Sequence, residues 1–467
     1  MELANSTLIN EVMLIINSGD KDVFYSWECI IEAGGKQHLP YKLLNIDWIR
    51  DYAGAYADEI MLQVMIGGGT FAHEIMPYKE DLKVTLYRIP LGGSAPGPDL
   101  EKGIVSQTFR ATITQVPGDN IAPPNAMLAT QETGDLTSIR TVTMQLQDLS
   151  LEQIRLISLG TTVRKSTPAQ TLRAMLDQAS KSINVDLDNK IKGITMVEEH
   201  NTEVRDHIVI PHGTPLVNLP DYLQSGAGGI YSAGLGFYLQ KDMWYVWPLF
   251  DLSRFDKSPK SITIILIPTN QLNGVEQTFR TTANQVIIMI TGGATHEDRS
   301  ENSLANLGNG LRFADSRKML EGFGEVKDNR VVANRSTNNN EFIGVTRSGG
   351  LNNVQMTGVT SNVFAQASTL ARRKGAYLTV NWQNSDPDLL RPDLPVQVIY
   401  AKDGLPVTLN AVLMQVHTFI ESAGPTMTNR RHMSNTAITL FVEKDLPELK
   451  EYEASKTTSG YSPSLGM

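Results

Sequence analysis

From residue 24 to residue 148 apolar and polar positions alternate with period two, interrupted at short intervals by turn signals. FYSWECIIEA, EIMLQVMIGGG, DLKVTLYRIP, TFRATITQV and IRTVTMQLQDL each read as a strand, rich in β-branched and aromatic residues. AGGKQH reads as a turn, and LGGSAPGPDLEKG and PGDNIAPPN as loops whose Gly and Pro content rules out a strand. Short strands at this spacing predict a sandwich or a barrel.

The period changes near Ser150. LSLEQIRLISLG is helix-like, and KSTPAQTLRAMLDQAS opens a clear helix. Thr167 is its N-cap, Pro168 takes the first helical position and Gln170 completes a capping box. Leu172, Met175, Leu176 and Ala179 follow on one face. Thr214 and Pro215 in HGTPLVNLPDYLQ predict a second helix start. GAGGIYSAGLGFYLQKDMWYVWPLFDL predicts a hairpin turning at Lys241 and Asp242, with Phe237 and Leu239 on one face and Tyr238 on the other. SITIILIP and QVIIMIT are two apolar strands, so residues 151–295 form a mixed α+β region.

Residues 296–360 are polar and rich in Asn and Gly, a linker or long loop with one short helix near DSRKMLEGF. Order resumes in FAQASTLARRKGAYLTVNW, a helix running into a strand. LPVQVIY, TLNAVLMQVHTFI and NTAITLFVEKD complete a second strand set. The last residues, 448–467, read as a flexible tail.

The two strand sets echo one another. DLKVTLY at Asp81 is answered by DLPVQVIY at Asp393, FRATITQV at Phe109 by LNAVLMQV at Leu409, and RTVTMQLQDL at Arg140 by NTAITLFVEKDL at Asn435. Each third strand leads into Asp-Leu (Asp148 and Leu149, Asp445 and Leu446). Three matches in one order favour a diverged duplication over two unrelated β domains that share generic patterning.

Composition narrows the function classes. The 467 residues are 41% hydrophobic and 19% charged, enough for several domains without disulfides or metals. Acidic residues outnumber basic ones, 50 to 41, which argues against a general nucleic-acid binder. Cys29 is the only cysteine and sits in an apolar strand, so an inert buried thiol in a reducing compartment is expected. No apolar run is long enough to span a membrane. The first residues carry Glu2 and Glu11 and lack the basic region of a secretory signal.

Candidate chemistry is thin. His200, His207 and His212 lie close together after Glu198 and Glu199, but their spacing puts no two ligands on one helix face. IGGGT lacks the Lys-Ser or Lys-Thr of a phosphate loop, and GGIYSAGLGF departs from the dinucleotide spacing. Tyr231, Phe237, Tyr238, Trp244, Tyr245 and Trp247 suit a carbohydrate platform, a core or a subunit interface, and interface is the expectation. Glu198 with Asp206, or Asp386 with Asp388, has the residue types of glycosidase chemistry without anything that sets their separation. No nucleophile elbow is present. The expectation is a non-enzymatic protein with no cofactor and no metal.

LARRKGAYLTVNW, LRPDLPVQVIY, VLMQVHTFI and HMSNTAITLFV together resemble the C-terminal barrel of bacteriophage tail baseplate hub proteins. The stretch HIVIPHGTPLVNLPDYLQSGAGGIYSAGLGFYLQKDMWYVWPLFD is similar to that family's inserted region, and with the first strand set the resemblance covers most of residues 20–445. It implies two tube-like β-barrel domains, at 20–150 and 355–447, flanking the α+β insert at 151–295 and the polar linker at 296–354. It further implies a homotrimer whose six barrels form a pseudo-hexameric ring between the sixfold tail tube and the threefold central spike. Tail tube, central spike, tape measure and wedge proteins are then the expected partners, DNA is passing cargo, and the site is the virion's tail baseplate, assembled in host cytoplasm. Asp81, Val84, Tyr87, Asp393, Val396 and Tyr400 are the ring-interface candidates; Tyr238, Trp244 and Trp247 are those of the insert. An acidic chain suits a conduit that repels DNA phosphates. Rival readings are a tail-borne peptidoglycan or polysaccharide hydrolase, a hub of a related contractile injection system, and a carbohydrate-binding module.

Overall fold

A computed structural model of the chain describes residues 12–15, 24–91, 104–115, 139–186, 189–267, 278–291, 294–297, 324–327, 330–333, 344–346, 364, 367–368, 371–372, 375–402, 405–424 and 431–443. The predicted helix near DSRKMLEGF, the tail and most of the polar linker lie outside these residues.

The chain is mainly β. The first strand set is β1 (Phe24–Ala33), β2 (Lys36–His38), β3 (Lys42–Asp51), β4 (Glu59–Gly67), β5 (Leu82–Leu91), β6 (Val105–Gln115) and β7 (Ile139–Asp148). β1 and β2 join through Gly34 and Gly35, both at positive φ as a tight hairpin turn requires. β3 escapes the sequence reading because Leu44 is an extra residue at a bulge between Leu43 and Asn45, which breaks the alternation. Ile46, Trp48 and Arg50 then point inward.

The middle of the chain supplies α1 (Leu149–Ile154), β8 (Ser158–Ser166), α2 (Pro168–Ser182), β9 (Gly193–Met196), β10 (Arg205–Pro215) and α3 (Leu219–Ser225). α2 has the predicted capping box between Thr167 and Gln170. The helix-like LSLEQIRLISLG instead splits after Ile154, and its second half enters β8, which pairs with β10. Thr214 and Pro215 end β10, and Pro215 caps a short 3-10 turn, Leu216–Asn218, that leads into α3 at Leu219 and Pro220. β11 (Leu235–Gln240) and β12 (Met243–Pro248) form the predicted hairpin, with Lys241 at φ 48° and Asp242 at φ 60°.

Next come β13 (Ser261–Ile267), β14 (Phe279–Thr281), β15 (Gln285–Thr291) and β16 (Ala294–Glu297), then β17 (Gly324–Lys327), β18 (Arg330–Ala333) and β19 (Gly344–Thr346), which form a small sheet of their own. The last set is β20 (Gly375–Gln383), β21 (Pro395–Lys402), β22 (Leu405–Ser422) and β23 (His432–Glu443). β13 lies parallel to both β21 and β15, so SITIILIP and QVIIMIT extend the C-terminal sheet although they precede the linker in sequence. That sheet bends back on itself. Trp382 at the end of β20 meets Phe279 edge-on and donates its Nε1–H to Thr278 at 2.8 Å.

The first sheet closes through the last. β1, β5, β6, β7, β4 and β3 are hydrogen-bonded in that order, β22 pairs with β3, β23 pairs with β22, and β23 meets β1 at Tyr25 and His432. Inside lie Ile31, Ile46, Leu62, Val64, Val84, Phe109 and Met144, with Ile420 contributed by β22. Full burial of each aliphatic side chain contributes about 1.5–3 kcal/mol. A second core fills the C-terminal sheet, and a third lies under α2 and α3.

Candidate assembly interface and the joint between the barrels

The two strand sets repeat in pairing as well as in pattern. β5, β6, β7 and β4 are antiparallel neighbours in that order; so are β21, β22, β23 and β20. β6 carries a one-residue bulge after Ile113, which faces Met144, and resumes at Gln115 opposite Thr143. β22 carries one after Leu413, which faces Leu440, and resumes at Gln415 opposite Thr439. Leu62 on β4 faces Met144, as Leu378 on β20 faces Leu440. A bulge is a positional feature, so two at corresponding places carry more weight than generic alternation. β3 beside β4 corresponds to β16 beside β20: Ile46 faces Leu62 and His296 faces Leu378. The first hairpin of each set differs in one respect. Val84 faces Phe109, and its counterpart opposite Leu409 is Val398, two residues beyond the Val396 that the phrases align. A slip of two preserves the faces, which is why the phrases still match.

Beyond its bulge β22 leaves its own sheet's partner β21 and runs along β3, with Gln415 to Glu421 paired to Asp51 to Asn45. This is the joint between the repeats. His432 ties it from inside: the Trp27 backbone N–H donates to its Nδ1 at 3.1 Å, which leaves Nε2 to donate to the Leu43 carbonyl at 3.3 Å. On the opposite face His417 meets Asp47 at 2.5 Å.

Next to the joint sits a buried ion cluster drawn from all three parts of the chain. Arg50, only 1% exposed, reaches Asp58 at 3.1 Å and Asp388 at 3.5 Å, and donates to the Pro387 carbonyl at 2.9 Å. Arg88 bonds Asp386 at 2.8 Å and Asp388 at 2.9 Å, and lies 4.4 Å over the Tyr25 ring. Lys241, from the β11–β12 turn, reaches Asp388 at 3.0 Å. Three cations thus meet three carboxylates. Burial alone would raise the Asp388 pKa, but Lys241, Arg88 and Arg50 hold it down to about 2. Burial pushes the Tyr25 hydroxyl up to about 12, with the Asp386 charge adding to it. Asp386 and Asp388 are thus engaged by Arg88, and Asp388 by Arg50 and Lys241 as well.

The site residues expected from sequence divide sharply. Asp81 is exposed and pairs with Arg110. Tyr87 and Tyr400 are half-buried, opposite Ser106 and Val407. Val84 and Val396 face the first and second cores, because inward and outward positions alternate along each strand. Asp393 is buried; Arg391 holds its carboxylate at 2.7 and 3.1 Å, and Arg254 donates to its carbonyl at 2.6 Å. Tyr238, Trp244 and Trp247 are also interior. The hairpin lies between two cores, with Tyr238, Tyr245 and Trp247 on one and Phe237, Leu239, Trp244 and Val246 on the other. Six of the nine expected interface residues are thus internal packing; Asp81 is exposed, Tyr87 points outward, and Tyr400 is half-buried on the Val396 and Val398 face of β21. Among the described residues no group of three or more His, Cys, Asp or Glu is placed to hold a metal ion. His200 instead engages Ser232.

Arg50, Asp58, Arg88 and Lys241 were not expected from sequence. The available signal was Arg50, a charge at an inward position of an otherwise apolar-facing strand.

No protein-family model and no curated protein matches the chain. Solved structures similar to it include a tail protein from Neisseria meningitidis, at 14% identity and TM-score 0.40, covering 90% of this chain and 97% of that one. The 43 kDa tail protein of prophage MuSo2 from Shewanella oneidensis aligns at 11% identity and TM-score 0.42, over 89% and 96%. An E. coli component of the type VI secretion system aligns at 8% identity and TM-score 0.38, over 87% and 76%. All of these likenesses are distant.

Proposed function

We propose that this chain is a structural, non-catalytic hub subunit of a phage-type tail baseplate. Three copies form a ring of six barrel units around a channel, seating the sixfold tail tube on one side and the threefold central spike on the other. The observation that carries this reading is the repeated strand unit with its repeated bulge. One chain then supplies two equivalent building blocks, and a closed trimer of such chains has true threefold and approximate sixfold symmetry. The sequence phrases that resemble tail hubs support the same reading. Assembly in host cytoplasm and residence in the virion follow from it, with tail tube, spike, tape measure and wedge proteins as partners.

In this arrangement the outward face of β20, β23, β22, β3, β4 and β7 lines the channel. Its residues include Thr379, Thr439, Gln415, Asn45, Gln63, Thr143 and Gln145, with Asp47 paired to His417. Asp51, Glu59 and Glu421 share this face with Lys42, so carboxylates are interspersed among the hydroxyls and amides. A surface of this kind, in which carboxylates outnumber cations, disfavours adhesion of passing DNA phosphates.

Native mass measurement followed by negative-stain imaging tests the proposal. A trimer of about 150 kDa, three times the 51.5 kDa chain, with a central hole and six lobes is the expected result. A stable monomer, unchanged beside tube or spike protein, overturns it.

A further inference from the structure

In the insert, β8 and β10 form a two-stranded ribbon. One face of it lies on the third core, where Ile208 and Ile210 are buried and Leu159 and Val163 pack beside them. The outer edge of β10 meets the insert again, because the Tyr222 hydroxyl donates to the Val209 carbonyl at 2.6 Å. The outer edge of β8 has no such cover. Among the described residues no strand lies along it, and no backbone group of residues 158–165 bonds outside the ribbon. Charge marks the same edge. Between Glu152 and Asp177 the chain carries Arg155, Arg164, Lys165 and Arg173 and no carboxylate, although its net charge is -9. All four cations are exposed, and among the described residues none makes an ion pair. Arg155 precedes β8, and Arg164 and Lys165 stand at its far end. Across the ribbon Arg164 faces His207, and Asp206 is the ribbon's single acid. Leu156, at 83% the most exposed large apolar side chain described, lies just ahead of the strand.

We propose that the open edge of β8 takes an extended acidic segment of another protein as an added strand, with Arg155 and Arg164 meeting its carboxylates at either end. An unpaired edge presents a row of N–H and C=O groups that an extended chain satisfies, and main-chain bonds of this kind supply affinity without a deep pocket. The cations supply the choice of an acidic chain. A second copy joined along this edge is disfavoured, since it brings another set of the same unpaired cations to the contact. Nucleic acid would meet the charge through its phosphates but would leave the strand's carbonyl groups unpaired. The surface belongs to the insert and owes nothing to the repeated strand unit, so it stands apart from the trimer. In a baseplate the segment comes from a neighbouring component.

Fluorescence anisotropy of a labelled peptide of about eight residues, alternating Glu and Val, titrated with the intact chain tests the proposal. Saturable binding is expected, with hydrogen exchange at 158–164 slowed about 10-fold in the complex. Arg155→Glu combined with Arg164→Glu is expected to weaken binding about 10-fold or more. A second probe needs no variant. The same peptide methylated on alternate backbone nitrogens keeps its charge but loses strand donors, and is expected to bind about 10-fold more weakly. Absence of binding by the acidic peptide, equal binding of the methylated one, or tighter binding of a DNA oligonucleotide of matched charge overturns the proposal. So do 158–164 amides that are already protected in the chain alone. None of these outcomes bears on the trimeric hub, which the native mass decides.

Discussion

Gln415 stands opposite Thr439 one residue after the bulge in β22. Their counterparts, Gln115 and Thr143, stand the same way after the bulge in β6. The bulge residue in β22, Met414, is buried, and after it Val416, Thr418 and Ile420 face inward along β3. Deleting Met414 leaves Leu413 opposite Leu440 and Gln415 opposite Thr439 as consecutive pairs, so all three keep facing inward while the bulge and one buried side chain are lost. The expected cost is about 2–5 kcal/mol, that of removing one buried Met side chain. Urea denaturation of the deletion variant checks it, and an unchanged midpoint would show that the bulge and its side chain add nothing to the joint.

Arg50 joins Asp58 and Asp388, residues of the first and last strand sets, in a setting almost closed to water. Removing one partner of such a group strands the others. Arg50→Met is therefore expected to destabilise the chain by about 3–5 kcal/mol. Arg50→Lys keeps the charge but loses the fork that serves Asp58 and the Pro387 carbonyl together, and is expected to fall between. Thermal melts of the two variants rank the effects. Equal stability of all three chains would mean that water enters the cluster freely.

Much of the fold was legible because strand alternation and capping are local. The Thr167–Gln170 box, the turn at Lys241 and Asp242, and the two-sided hairpin all follow from adjacent residues. What was hidden is set by distant partners. Whether Val84 or Tyr87 faces a neighbour depends on which side of β5 the core occupies, and alternation alone leaves the sign open. The aromatic hairpin reads as an interface because aromatics are common to interfaces and cores; only the α2–α3 layer behind it decides for core. β13 gives no sign in sequence of pairing in parallel with a strand beyond the linker.

Two carboxylates give the chain opposite responses to acid. Asp388 has a folded pKa of about 2, below its unfolded value, so its contribution is present above about pH 4 and fades as pH falls toward 2. Asp148, which caps α1 through the Ser150 and Leu151 amides, is pushed up to about 6 by burial and by Asp242 nearby. A raised carboxyl pKa reverses the sign: the folded state holds the proton more tightly, so stability is lost as pH rises from about 4 through 6. Asp148→Asn keeps a capping side chain and removes the charge. It is expected to flatten stability between pH 4 and 6 and to gain about 1–2 kcal/mol at pH 7. Asp388→Asn is expected to remove the dependence below pH 4. Denaturation midpoints collected across this range separate the two limbs, and a variant that leaves its own limb unchanged would show that its carboxylate is not the titrating group.

Trp244 and Trp247 provide the test of core against interface. Each is almost fully buried, Trp244 stacked 4.7 Å from Phe237 and Trp247 edge-on to Tyr52 at 6.1 Å. Neither indole N–H has a hydrogen-bond partner, so each ring acts through shape alone. Replacing either by Ala is expected to cost about 3–5 kcal/mol of monomer stability. Phe in the same place removes an unsatisfied donor along with some volume, and is expected to cost less than about half as much. A residue that served mainly as a contact between subunits would behave differently. Both substitutions would then weaken the proposed trimer while leaving the urea midpoint of the separated chain where it was. Paired measurements of chain stability and trimer dissociation on the four variants discriminate these outcomes, and a graded loss of chain stability, Ala more than Phe, is the signature of a core position.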